Sequence, residues 1–276
     1  MKFAIISDSS SDLLSLDNAM YECVPLKVIT EEKEYIDDKN LDLEAMLTEL
    51  KQYKGVSKSS CPNAAEWKEA FGDAEGVFCV TITSGLSGSC NAAHMALSEY
   101  LQEHPERKGY VVDSLSAGPE VTLLVEKLAE LIGQNLDFDT IVKEIEAYKQ
   151  STHLLFSLAS LRNFANNGRV SVAVAKLVGI LGIRVVGKAS TEGTLEVIGK
   201  AKGGKKALVD VFNNMLQAGY FGGKVRIHHC QNEEGAEALS KMITTHFSEA
   251  SVVIAKTRGL CSFYAESGGM LIGYEA

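Results

Sequence analysis

Short apolar runs alternate with helical periodicities through the first half of the chain. Lys2 to Ser7 (KFAIIS), Val77 to Ile82 (VFCVTI) and Gly109 to Val112 are nearly continuous and rich in β-branched residues, as strands covered on both faces require. Between them, Leu43 to Leu50, Ala64 to Phe71 and Ser87 to Tyr100 repeat their apolar positions at helical spacing, the last through Ala92, Ala93, Ala96, Leu97 and Tyr100. Val121 to Ile132 and Phe138 to Tyr148 add two amphipathic helices. This alternation predicts an N-terminal α/β domain with a parallel, Rossmann-like sheet.

The second half has a different texture. Leu154 to Leu161 and Val172 to Leu181 read as short helices flanking the loop Asn166, Asn167, Gly168, Arg169. Ile183 to Val186 and Thr194 to Gly199 read as a hairpin turning at Thr191, Glu192 and Gly193. Helices over Lys205 to Leu216 and Glu233 to Phe247, with strands over Lys224 to His229, Ser251 to Ala255 and Met270 to Tyr274, complete the pattern. The expectation is a C-terminal α+β domain with a mixed or antiparallel sheet, residues 1–150 forming one domain and 151–276 the other. A length of 276 residues suits that division at about 150 residues per domain.

Composition narrows the function. With 46% hydrophobic and 23% charged residues the chain is globular. Its 27 basic and 36 acidic side chains give a net charge of −9, which opposes binding to a nucleic-acid backbone or an anionic membrane surface. The opening MKFAIISDSSSDL is too short in apolar residues for a signal peptide, and no other stretch reaches membrane length. A cytoplasmic protein without stable membrane insertion is expected. Six scattered cysteines without a CxxC pair predict neither a disulfide framework nor a metal site.

Three hydroxyl-rich loops stand out: Asp8 to Asp12 after the first strand, Ser57 to Asn63 before a helix, and Thr83 to Gly88 after VFCVTI. At the carboxyl ends of parallel strands such loops, with helix N-termini, suit an anionic oxygen ligand. Helix capping and turn chemistry call for the same residues. Gly85, Leu86, Ser87, Gly88 misses the nucleophile elbow, and His94 and His104 are the only candidate bases of this half. A small-molecule hydrolase or phosphatase is therefore the weaker alternative. The run Gly199 to Lys206 fits a P-loop until Lys206 replaces its Ser or Thr. His228, His229 and Cys230 are consecutive on a strand and point to opposite faces. Arg169, Lys202 and Arg258 lie in glycine-bearing turns, where they form either a cationic rim for a phosphate or acidic partner, or isolated surface charges.

Taken in order, S-D-S-S-S-D, S-S-C-P, T-S-G-L-S-G, V-V-D-S-L-S-A-G, N-N-G-R-V-S and E-G-T-L-E-V-I-G-K-A-K-G-G-K-K-A-L resemble the DegV family of bacterial fatty-acid-binding proteins over nearly the whole chain. The resemblance implies two α/β domains with a long-chain fatty acid, such as palmitate, buried between them or beneath their interface. It implies a non-catalytic lipid carrier without a cofactor. The family's T-S-Q-P falls on Ser59, Ser60, Cys61 and Pro62, which makes Ser59 the counterpart of a carboxylate-binding threonine. Its S-S-x-L-S-G falls on Thr83 to Gly88, which makes Ser84 the leading carboxylate ligand and Thr83 its neighbour. Members found with a fatty-acid kinase present the acid to that kinase. Of the features linked to that role, Arg169 keeps one arginine, Lys202 stands in for a second, and Arg258 stands where the family has a histidine. These departures bear on kinase delivery more than on lipid binding.

Overall fold

The computed structural model describes residues 2–17, 19–171, 173, 174 and 182–276. The helix expected over Val172 to Leu181 falls largely outside the described residues. Four strands, β1 (Phe3–Asp8), β2 (Tyr21–Val24), β6 (Gly76–Thr81) and β7 (Lys108–Asp113), form a parallel sheet in the order β2-β1-β6-β7. The two central strands explain their continuous apolar runs. Ala4, Ile6, Val77 and Cys79 pack with Trp67, Phe71 and Ala93 on one face, from α2 (Ala64–Phe71) and α3 (Ser89–Glu103). Ile5, Phe78 and Val80 pack with Leu124, Leu128 and Ile141 on the other, from α4 (Pro119–Gly133) and α5 (Phe138–Lys149). Side chains alternate across a strand, so both periods of the sequence are satisfied by one helix–sheet–helix sandwich.

Between β2 and α2 lies a small antiparallel sheet of β4 (Glu34–Ile36), β3 (Lys27–Ile29) and β5 (Lys58–Ser60), with α1 (Leu43–Gln52) in the connection. Its three-residue strands are too short to leave a clear alternation.

The second sheet has six strands in the order β10-β9-β8-β13-β11-β12: β8 (Thr152–Leu158), β9 (Ile183–Ala189), β10 (Leu195–Lys202), β11 (Lys224–His229), β12 (Ser251–Lys256) and β13 (Met270–Glu275). Only β11 and β12 pair in parallel; the rest is antiparallel. The helix expected over Leu154 to Leu161 is replaced by β8. Its apolar run is central in the sheet and buried on both faces, a pattern that periodicity alone does not separate from a short buried helix. Leu155 meets the core under α7 (Gly204–Gln217) and α8 (Glu233–His246). Leu154, Phe156 and Leu158 face the opposite side, toward α6 (Arg162–Asn166) and α9 (Gly259–Ala265).

α9 follows β12 in the second half but is fastened to the first. Both Asp37 carboxylate oxygens accept backbone N–H groups at its start, from Gly259 and Leu260 at 2.8 Å each. Asp12 Oδ1 accepts from Arg258 N at 2.6 Å, and its Oδ2 lies 2.8 Å from His228 Nδ1. All of α9 except Tyr264 is buried, so these contacts serve groups with no access to water.

Candidate functional site

A cavity of about 260 Å³ lies between the inner face of the six-stranded sheet, α9 and the loops at the carboxyl ends of the parallel strands. Leu154, Phe156 and Leu158 of β8, Leu271 of β13 and Leu260 and Ala265 of α9 give it an apolar wall. Its polar residues come from adjoining loops. Thr83 follows β6 and Ser116 follows β7, and Thr83 N donates to Ser116 O at 2.8 Å. Arg169 Nε donates to Leu86 O at 2.8 Å, and Asn167 Oδ1 accepts from Ser59 N at 3.1 Å. These bonds join the loops of Ser59, Thr83, Ser116 and Arg169 at one end of an otherwise apolar chamber.

The hairpin turn between β9 and β10 closes over that end. A methyl group placed on Gly193 would sit 2.0 Å from Thr83 Oγ1, and Gly193 has φ +70°. Only glycine permits both the left-handed backbone and so near an approach.

Thr83 Oγ1 accepts from Gly85 N at 3.1 Å and Ser87 Oγ from Ser89 N at 3.2 Å, yet among the described residues neither hydroxyl donates. Ser59 and Tyr264 hydroxyls lie 2.7 Å apart; one donates to the other, leaving a second proton free. Ser116, 3% exposed, has a hydroxyl without a hydrogen-bond partner. The end is rich in unspent donors, and Arg169 brings a cation to the same wall. Its complement is an acceptor-rich anion, and buried donors left unmatched are costly. Burial pushes the Tyr264 phenol up, so it stays a neutral donor.

Of the residues expected from sequence, Ser59, Thr83 and Arg169 line the cavity. Ser84 does not. Thr83 is 1% exposed and turned inward, whereas Ser84 is exposed and its N–H is bound to Asp113 Oδ1 at 3.1 Å. The tight turn closed by Leu86 N on Thr83 O sends adjacent side chains in opposite directions. Lys202 is exposed at the end of β10, away from this wall. Arg258 is also outside it, its guanidinium engaged with Asp38 O and 3.9 Å from Asp37 Oδ1. The Asp8–Asp12 loop is consumed structurally: Asp8 accepts from Ser10, Ser89 and Ile82 N, and Ser9 Oγ from Leu26 N. His228 turns to Asp12, while His229 Nδ1 accepts from Asn232 N at 3.2 Å. Sequence reasoning passed over Ser116, Tyr264 and Gly193. Ser116 had a usable signal, since it follows a parallel strand as Thr83 does.

Among the described residues no helix is long and apolar enough to cross a membrane. A family model described as "Uncharacterised protein, DegV family" matches residues 2–276. A DegV domain-containing protein of Streptococcus pneumoniae is 44% identical over 279 residues, covering 100% of this chain and 99% of that one. Among solved structures, a DegV family protein of Eubacterium eligens loaded with heptadecanoic acid has a TM-score of 0.97 at 43% identity, with 99% of each chain covered. The Fatty Acid Kinase (Fak) B3 protein of Streptococcus pneumoniae, loaded with linoleic acid, has a TM-score of 0.98 at 44% identity, covering 100% of this chain and 99% of that one. Matched end to end in sequence and in fold, the chain belongs to the DegV family.

Proposed function

We propose that this protein binds one long-chain fatty acid, its carboxylate at the Ser59–Thr83–Ser116 end of the cavity and its tail along β8 and α9. The observation that carries the reading is the set of unspent hydroxyl protons at one end of an apolar chamber. An ionised acid has four lone-pair sites and no donor, so it matches that end. Neutral hydroxyls with Arg169 alongside hold the charge without a fully buried ion pair. A tail of about fourteen methylenes, at about 0.8 kcal/mol each, contributes ~10 kcal/mol before ordering costs. The likeness to two proteins solved with heptadecanoic and linoleic acid supports the same cargo.

The chain acts as a carrier, and the chemistry is done by a partner. The 44% identity to a protein described as Fatty Acid Kinase (Fak) B3 supports a fatty-acid kinase as that partner, and no cofactor enters the reading. The test is mass spectrometry of an organic extract of the purified protein, followed by titration of the delipidated protein with oleic acid and methyl oleate. Co-purified long-chain acids and a strong preference for the acid are expected. An empty extract, or equal affinity for the ester, overturns the assignment. Turnover of generic esters or phosphates, abolished by Ser87→Ala, would favour a hydrolase instead.

A further inference from the structure

We propose that Glu120 makes ligand binding proton-linked: a carboxylate seated beside Thr83 and Ser116 binds together with a proton on Glu120, and losing that proton loosens it. The inference rests on the fatty-acid reading above and concerns the regulation of the same site.

Glu120 lies in the first turn of α4, four positions after Ser116, and is only 5% exposed. It lines a second, more polar cavity of about 640 Å³ that shares Leu154, Lys188 and Ala189 with the apolar one. Its Oε1 is 2.9 Å from Thr152 Oγ1, which is itself 3.2 Å from Lys149 O. Thr152 has a single hydroxyl proton. With Glu120 ionised, Thr152 can serve either the carboxylate or the Lys149 carbonyl, but not both. With Glu120 protonated, its O–H donates to Thr152 and Thr152 donates to Lys149 O, so both contacts become hydrogen bonds. The geometry therefore fits the neutral acid.

Among the described residues no cation is paired with Glu120. Lys149 is 2.7 Å from Glu146 and Lys188 is 3.6 Å from Glu196. His153, on β8, is held low by burial and by Lys188. Tyr274, on β13, is pushed up by burial and by Glu120 itself. Burial lifts Glu120 to about 7, against weaker help to its charge from the Thr152 hydroxyl. Ser116 lines the apolar cavity, and Glu120, four positions further on in the first turn of α4, lines the polar one. A ligand carboxylate beside Ser116 adds a like charge near Glu120, which raises the affinity of Glu120 for a proton. By linkage, ligand binding takes up a proton, and affinity falls as pH rises through the titration, by at most tenfold per pH unit for one coupled proton.

The test titrates delipidated protein with oleic acid at pH 6.5, 7.5 and 8.5, in calorimetry buffers of low and high ionisation enthalpy. Wild type should take up part of a proton at pH 7.5 and weaken severalfold by pH 8.5. Glu120→Gln, which mimics the neutral acid, should bind with neither effect. Equal proton uptake in wild type and Glu120→Gln overturns this proposal while leaving the fatty-acid reading intact. No binding by wild type at any pH overturns that reading instead. Infrared difference spectra of wild type with carboxyl-13C oleic acid test the same point without a variant. An unlabelled protonated carboxyl band should appear on binding at pH 7.5, and its absence counts against the proposal.

Discussion

The hydroxyl of Ser59 lies 2.7 Å from that of Tyr264, 205 positions further along the chain. The pair joins β5 to α9 at the polar end of the cavity and leaves one of its two protons for a ligand. Ser59→Ala and Tyr264→Phe should each weaken oleic acid binding, and the two losses should not add, because the residues share one hydrogen bond. A double-mutant cycle read by fluorescent fatty-acid displacement checks this; strictly additive losses would place the head group elsewhere.

Thr83→Val removes an inward hydroxyl at nearly constant volume and should cost about 1 to 3 kcal/mol of binding, the penalty for a buried charged acceptor short of a donor. Ser84→Ala, one residue away, should leave affinity unchanged, because Ser84 is exposed. The reverse ranking in the same assay would return the carboxylate to Ser84.

Gly193→Ala places a methyl group 2.0 Å from Thr83 Oγ1 in a backbone with φ +70°. The hairpin tip must retreat from the head-group end. A loss of about 1 to 2 kcal/mol in stability from the left-handed backbone, together with faster ligand dissociation, is the expected result. Stopped-flow release of a bound fluorescent acid provides the measurement.

Ala265 is 2% exposed and lines the apolar wall. Ala265→Leu fills part of the chamber without touching the hydroxyls, so the preferred acyl chain should shorten by two or more carbons. Competition among saturated acids of graded length would show it; an unchanged optimum would mean that the tail runs along another wall.

Burial, with repulsion from Asp12, raises Asp37 to about 6, despite its bonds from Leu260 N and Gly259 N. The folded state thus holds this proton more tightly than the unfolded chain, whose reference value is 3.8. The stabilising effect is fully present below that value and is lost as pH rises through about 6. Its size is about 3 kcal/mol at order of magnitude. Urea unfolding of ligand-free protein at pH 5 and pH 8 should show a larger drop for wild type than for Asp37→Asn. Glu120 and Asp8 are shifted in the same direction by burial, so the wild-type drop is a joint effect and the variant isolates the part due to Asp37.

The fold was legible where burial wrote a period into the chain. β1 and β6 are covered on both faces, and α2 to α5 show one apolar stripe each. β8 misled because a buried central strand and a short buried helix share the same apolar run. The strands β3 to β5 were too brief to register, and with them went the platform that presents Ser59. Loop chemistry was legible in kind but not in direction. Thr83 and Ser84 are equivalent as hydroxyl bearers, and a turn decided which faces inward. Charge was the least legible, since Arg258 looked free in its glycine turn yet is engaged by Asp37 and Asp38, residues more than two hundred positions away.

The fastening of α9 reaches beyond the cavity it walls. A fragment of residues 1–150 would keep Asp12 and Asp37 but lose the N–H groups and the imidazole they now meet. A fragment of residues 151–276 would expose Phe263, which packs with Val28, Tyr35 and Met46 of the first half. Each piece would carry an open wound in polar and apolar surface alike, so neither should persist as a folded species by itself. Mixed in equal amounts they should complement one another, and a nick in the chain near residue 150 should be far less damaging than the removal of either side.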